Sequence, residues 1–253
     1  MSKKNAYLME EMSWLEVEEA LETVKVAVIP VGAHEQHGPN LAESCDAVRA
    51  REYSKVVGER MYPKVMITPT VNFGISFHHL NFPGTISLLP ETMISLLRDI
   101  VKSLKHHGIE KFLFLNSHGG NEATLDTAIV TLKEELGVKA AHIKYTLLAP
   151  EAIKKHVKSD SSGHSCEREV SEALYLAPEI IKQDELTQGE VKDFPYSLTM
   201  QNKGPIKVTY DFEEWTENGA LGDATKATKE FGKELVEESL TNLEEFITDF
   251  IEN

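Results

Sequence analysis

Along the chain, stretches with apolar residues every three or four positions alternate with short, nearly unbroken apolar runs. The first pattern predicts helices packed through one face, the second predicts buried strands. Residues 14–23 have helical spacing, with Ser13 placed as an N-cap. Residues 25–31 are apolar, rich in β-branched side chains and stopped by Gly32, which predicts a strand covered on both faces. A helix is expected over 46–60, with Val48, Tyr53, Val56 and Val57 on one side, then a short strand over 65–70 closed by Pro69. Residues 91–107 give the clearest helix: Met93, Leu96, Leu97, Ile100, Val101 and Leu104 share a face, and Gly108 follows its end.

The pattern continues with a strand over 111–116, a helix over 121–136 stopped by Gly137, and a strand beginning in 138–148. A helix over 167–176 precedes Pro178, and 223–251 reads as one long or broken amphipathic helix. Between these two, 180–222 is irregular and rich in turn residues such as Gly189, Pro195, Gly204 and Gly219. Repeated switching of period predicts the α/β class. No internal repeat or low-complexity linker interrupts it, so one domain over 1–253 is expected.

Composition narrows the setting. The apolar runs fall far short of the roughly 20 residues needed to cross a bilayer, and the N-terminal stretch lacks the apolar core of a signal peptide. Two cysteines, Cys45 and Cys166, do not make a disulfide framework, so a cytoplasmic protein is expected. A net charge of −15 lacks the basic footprint of nucleic-acid binding. The acid clusters in 10–22 and near the C-terminus, where it reads as solvated helix faces.

Chemistry concentrates in three Gly-punctuated stretches that hold Glu35, His37, Asp46, His118 and Glu169. Imidazoles and carboxylates without thiolate are the ligand set of hydrolytic divalent-metal sites. Glu35, His37 and His118 follow predicted strands, and Asp46 and Glu169 lie near helix starts, so all five can meet at the carboxyl rim of a parallel sheet. Taken singly the signals are weaker. Asp46 also reads as a first-turn acid, and the loop around His118 as a phosphate cradle, although it lacks the lysine of a P-loop. If Asp46 bridges two ions, Glu35 and His118 complete one shell and His37 and Glu169 the other.

His164 sits in a turn expected to be exposed, where it is either a surface histidine or a general acid/base. Cys166 beside it invites a thiol-nucleophile reading, but no third group is placed to orient the pair. His79 is a candidate for substrate contact. His34, His78, His106, His107, His142 and His156 are assigned to structure or surface.

Together these stretches resemble the creatininase (creatinine amidohydrolase) family. The resemblance rests on Gly32-Ala-His-Glu-Gln-His-Gly-Pro39 with Asp46, Phe82-Pro-Gly-Thr85, Asn116-Ser-His-Gly-Gly-Asn121, His164-Ser-Cys-Glu-Arg-Glu-Val-Ser171 and Asn218-Gly-Ala-Leu-Gly-Asp223, in order along nearly the whole chain. It implies a three-layer α/β/α sandwich with a mostly parallel central sheet, two divalent metal ions (Zn, Mn or Fe), a small-molecule substrate and a homo-oligomer, often a hexamer. By position, Glu35, His37, Asp46 and His118 would be ligands and His164 the acid/base. Ser76 matches a substrate-contacting serine, and Gly119 and Gly120 border the substrate.

The departures bear on substrate. Creatininase proper has a metal-binding glutamate where this chain has Gly120, so Glu169 is taken as the completing ligand, with Glu122 second. Gly119 and Asp160 replace aromatic residues near the substrate, and Trp14 and Trp215 are the only tryptophans. Loss of that stacking wall argues against creatinine itself. The expected activity is hydrolysis by metal-activated water that opens or cleaves an amide-like bond in a small polar molecule, cyclic or open-chain. Other family activities kept as rivals are formamide deformylation, peptide trimming and hydrolytic opening of a keto-cyclitol ring. A metal-dependent sugar or cyclitol isomerase and an inactive metal-binding scaffold complete the alternatives.

Overall fold

Five strands, all parallel, form the centre of the fold in the order β1-β3-β2-β4-β5. The computed structural model describes residues 5–160 and 162–253. The strands are β1 (Tyr7–Leu8), β2 (Val26–Val31), β3 (Val65–Ile67), β4 (Lys111–Asn116) and β5 (Lys139–Lys144). The helices are α1 (Trp14–Leu21), α2 (Cys45–Arg60), α3 (Pro90–His106), α4 (Glu122–Leu136), α5 (Pro150–His156), α6 (Glu167–Leu176), α7 (Phe212–Trp215) and α8 (Lys229–Glu252).

Period-two alternation explains why the inner strands are apolar throughout. Ala27, Ile29, Phe112 and Phe114 face Met93, Leu97 and Val101 of α3 and Leu125 and Leu132 of α4. Val26, Val28, Leu113 and Leu115 face Tyr53 and Val57 of α2 and Val236, Leu240 and Leu243 of α8. Each large side chain withdrawn in this way contributes about 1.5–3 kcal/mol, so both helix layers are held by the sheet between them. The result is the three-layer α/β/α sandwich with a parallel sheet that the resemblance implied.

The differences are local. The strand expected over 65–70 stops at Ile67, and the one begun in 138–148 gives way to a 3₁₀ turn, Tyr145–Leu148. β1 is too short to leave a periodic trace. α5 starts with Pro150 in its first turn, where the missing N–H costs nothing. The C-terminal helix begins only after Thr228, whose side chain accepts from the Phe231 N–H at 3.1 Å. Among the described residues no helix is long and apolar enough to cross a membrane.

Register positions the chemistry. Val31 pairs with Asn116, and Asn116 with Lys144, so β2, β4 and β5 end side by side on one rim. A Cβ on Gly32, just past β2, would lie 2.4 Å from the Ala47 Cα. Only glycine lets the first turn of α2 approach so closely, and that approach carries Asp46 to the rim.

Candidate metal centre

The loop after β4 is pinned by two asparagines. Asn116 donates to the His118 carbonyl at 2.6 Å and accepts from the His118 N–H at 3.2 Å. Asn121 accepts from the Ile75 N–H at 2.9 Å and donates to the Gly32 carbonyl at 3.0 Å, tying this loop to the one after β2. A Cβ on Gly120 would lie 2.2 Å from the Ile75 oxygen and 2.3 Å from His118 Nε2. A side chain there and this placement of His118 are therefore incompatible. His118 Nε2–H donates to the Ile75 carbonyl at 2.9 Å, which leaves Nδ1 facing the cluster.

Asp46 lies between two histidines. Its Oδ2 is 3.3 Å from His118 Nδ1, and its Oδ1 is 3.6 Å from His37 Nε2. His37 Nδ1–H donates to the Glu35 carbonyl at 3.1 Å, so Nε2 points inward. Glu35 Oε1 is 3.1 Å from His118 Nδ1, and Glu169 Oε2 is 3.9 Å from His37 Nε2. The five residues singled out in the sequence thus lie together, every one of them buried. Glu122 lines the cavity above but stands outside these close groupings.

Among the described residues, both Glu35 carboxylate oxygens, His37 Nε2 and Asp46 Oδ2 are buried without a hydrogen-bond partner. Uncompensated buried carboxylates are costly, so the cluster calls for positive charge from protons or cations. Burial opposes charging of His118, yet Glu35 and Asp46 push it up to about 10. Burial likewise works against the Asp46 carboxylate, but His37 and His118 hold it well below the ordinary range. Nitrogen and oxygen donors with inward lone pairs fit divalent ions such as zinc or manganese.

His164, expected in an exposed turn, is only 8% exposed. Its backbone bridges to Leu221, whose N–H donates to the His164 carbonyl at 2.8 Å, and this irregular segment covers the turn. His164 Nε2–H donates to the Gln36 carbonyl at 2.7 Å, leaving Nδ1 at 3.6 Å from Glu35 Oε1. Burial, reinforced by His37, lowers His164 to about 4. His79 Nδ1 accepts from the Gln36 amide at 2.8 Å, and its Nε2 is 3.5 Å from Glu35 Oε1. Gln36 is thus a positioning residue that sequence reasoning missed.

Arg49 was missed as well. It is 1% exposed and donates to Asp46 Oδ1 at 3.3 Å, to Glu169 Oε1 at 3.0 Å and, through Nε and Nη2, to Glu172 Oε2. Tyr145 donates to the other Glu172 oxygen. Glu169 also accepts from the Ser165 N–H at 2.6 Å, so each of its oxygens already has one donor and keeps one lone pair. Burial disfavours its charge, but Arg49 and His37 hold it at about 2. One signal was available: Arg49 falls four and eight residues before Tyr53 and Val57, on the buried stripe of α2.

A cavity of about 950 Å³ opens over the cluster. Glu35, Asp46, His118, His164 and Glu169 form its floor, and Gly119 and Gly120 border it. Ser76 lies behind the lining, between Ile75 and Phe77, with its buried Oγ unpartnered among the described residues. The expectation of a lost aromatic wall is corrected, because Tyr210, Phe212 and Trp215 supply one from the irregular segment. His78, assigned to structure or surface, is part of the lining and groups with Glu35 and His118.

Comparison with known proteins agrees with this geometry. The family described as creatinine amidohydrolase matches residues 10–247. The chain is 27% identical to a mycofactocin precursor peptide peptidase of Mycolicibacterium smegmatis over 219 residues, covering 85% of this chain and 81% of that one. It is 26% identical to 3-dehydro-scyllo-inosose hydrolase of Thermotoga maritima, across 100% of this chain and 86% of that one. A crystal structure of creatinine amidohydrolase superposes with a TM-score of 0.85 at 23% identity, covering 97% and 98% of the two chains, and creatininase structures also include Mn and Zn-Zn forms. With the sheet, the strand-end loops and the match along nearly its whole length in accord, the chain belongs to the creatininase family of hydrolases.

Proposed function

We propose that this chain is a binuclear, divalent-metal-dependent hydrolase that cleaves or opens an amide-like bond in a small polar molecule. The observation that carries the reading is Asp46, whose two oxygens face two different histidines in a buried cluster where Glu35, His37 Nε2 and Asp46 Oδ2 have no hydrogen-bond partner among the described residues. Glu35, Asp46 and His118 would hold one ion, and His37, Asp46 and Glu169 the other. Bound there, divalent ions would supply Lewis-acid polarisation of a carbonyl and activation of water.

The protein's own groups then have distinct tasks. His164, neutral at pH 7 and with Nδ1 free, takes the proton shed by the attacking water and delivers it to the leaving nitrogen. Gln36 holds His164 and His79 in register, and Arg49 holds Asp46 and Glu169. His79, Gly119, Gly120 and the aromatic wall shape the substrate space, over which the whole chain acts as one domain. The exposed Tyr196, Leu198 and Ile206 support self-association, which light scattering on the eluting protein would test.

Metal analysis tests the centre. Wild type should hold about two ions per chain, and Asp46→Ala fewer than about one, because both shells share that carboxylate. Unchanged metal content in the variant would remove the bridging assignment. A second reading, hydrolytic opening of a keto-cyclitol, is favoured by the Thermotoga relative, which aligns along this entire chain. A screen of cyclic amides, formamides and keto-cyclitols with Mn²⁺ or Zn²⁺ separates the two.

A further inference from the structure

β2, β4 and β5 end in line, with Val31, Asn116 and Lys144 as neighbours across the sheet. The first two lead into the loops that carry Glu35, His37 and His118. The third places an ammonium group on the same rim. Lys144 lines the cavity and is largely withdrawn from solvent, yet among the described residues it has no hydrogen-bond acceptor and no ion-pair partner. In a chain with 41 acidic side chains and a net charge of −15, a partly buried ammonium that forms no ion pair among the described residues stands out.

We propose that Lys144 anchors an anionic group of the substrate, a carboxylate or a phosphate, beside the metal cluster. The inference deepens the hydrolase reading and rests on its identification of the cavity as the substrate site. Gly119 makes the contact possible. A Cβ there would lie 3.2 Å from Lys144 Nζ, so the missing side chain leaves the amine open to the cavity. Glu169, Glu122 and Asp46 all act on it through space but none forms an ion pair with it: Glu169 is held by Arg49 and the Ser165 N–H, and Asp46 by Arg49. Burial, with Arg168 adding to it, holds the amine below its ordinary value, the direction a bound anion reverses. Tyr210, Phe212 and Trp215 also line this cavity, so a substrate here meets a point cation, an aromatic wall and the metal ligands. A lysine imposes no fork geometry, so carboxylate and phosphate are equally suited by charge.

The test uses metal-loaded wild type, Lys144→Gln and Lys144→Arg, with metal content measured for each. The probes are N-formylglycine, N-formyl-β-alanine and N-formyl-4-aminobutyrate, their neutral carboxamides, and N-formylaminomethylphosphonate, titrated calorimetrically. For at least one spacer, wild type should bind the anionic member about tenfold more tightly than the neutral one. Lys144→Gln should abolish that preference without weakening the neutral probe, and Lys144→Arg should keep part of it. The ranking of carboxylate against phosphonate then identifies the group. Failure of every anionic probe to bind, equal affinity for charged and neutral members in wild type, or a preference that survives in Lys144→Gln each overturns the proposal. Metal content and turnover of neutral formamides report separately on the hydrolase reading, so either idea can fail while the other stands.

Discussion

Replacing Arg49 with methionine should expose how the buried carboxylate–histidine cluster is balanced. The guanidinium is fully buried and donates to three carboxylates, those of Asp46, Glu169 and Glu172. Removing one partner of a buried ion pair costs about 3–5 kcal/mol, because the other charge is left in a poor solvent. Three carboxylates do not triple the loss: Tyr145 still donates to Glu172, and the Ser165 N–H still donates to Glu169. For a chain of this size each kcal/mol shifts the melting temperature by about 2–4 °C, so Arg49→Met should melt roughly 6–20 °C lower in chelator. Excess Zn²⁺ or Mn²⁺ should recover part of the deficit, since cations compensate Asp46 and Glu169 but do not reach Glu172. Circular-dichroism melts of wild type and variant, with and without metal, measure both quantities. A chelated variant that melts within two or so degrees of wild type would refute the network's role, and a deficit unaffected by metal would refute its coupling to the cluster.

Further outcomes follow from the same geometry. Gly120→Ala should destabilise the protein by about 1–3 kcal/mol and lower metal content, because the added Cβ meets the Ile75 carbonyl and His118 Nε2; normal metal content in a stable variant would count against it. In the metal-free protein, His118, pushed from 6.5 up to about 10, adds stability that is full below pH 6.5 and disappears as pH climbs through about 10. Metal needs the same nitrogen without its proton, so affinity should rise with pH over that window and uptake near neutrality should release protons. Calorimetry in buffers of different ionisation enthalpy reads this directly, and identical heats in all buffers would contradict it. His164→Ala should lose about 10²–10⁴-fold in turnover with both metals retained, and full activity would remove its assignment as acid/base.

Most of the scaffold could be read from local pattern. Periodicity over 91–107 and 111–116 reports how a side chain stands relative to its own element, and that relation survives folding unchanged. Parallel strands end on one rim, so loops after β2 and β4 bearing Glu35, His37 and His118 were bound to converge. Arg49 shows the limit of such reading, because its position on the buried stripe was visible but a charged residue there signals nothing until its carboxylate partners are known.

The sequence by itself therefore determined the α/β class, most element positions, the strand-end loops and the five residues that meet at the rim. The tertiary structure decided what each atom faces. It split the Asp46 oxygens between His118 and His37, buried His164 beneath Leu221, brought Tyr210, Phe212 and Trp215 over the cluster, and left Lys144 open beside Gly119. Each of these depends on packing between segments far apart in the chain, whose mutual approach is fixed by the sheet register and by close contacts such as Gly32 on Ala47. Local periodicity carries no record of such contacts, so the residues that gather at the rim could be read from the sequence while the shape and charge of the space above them could not.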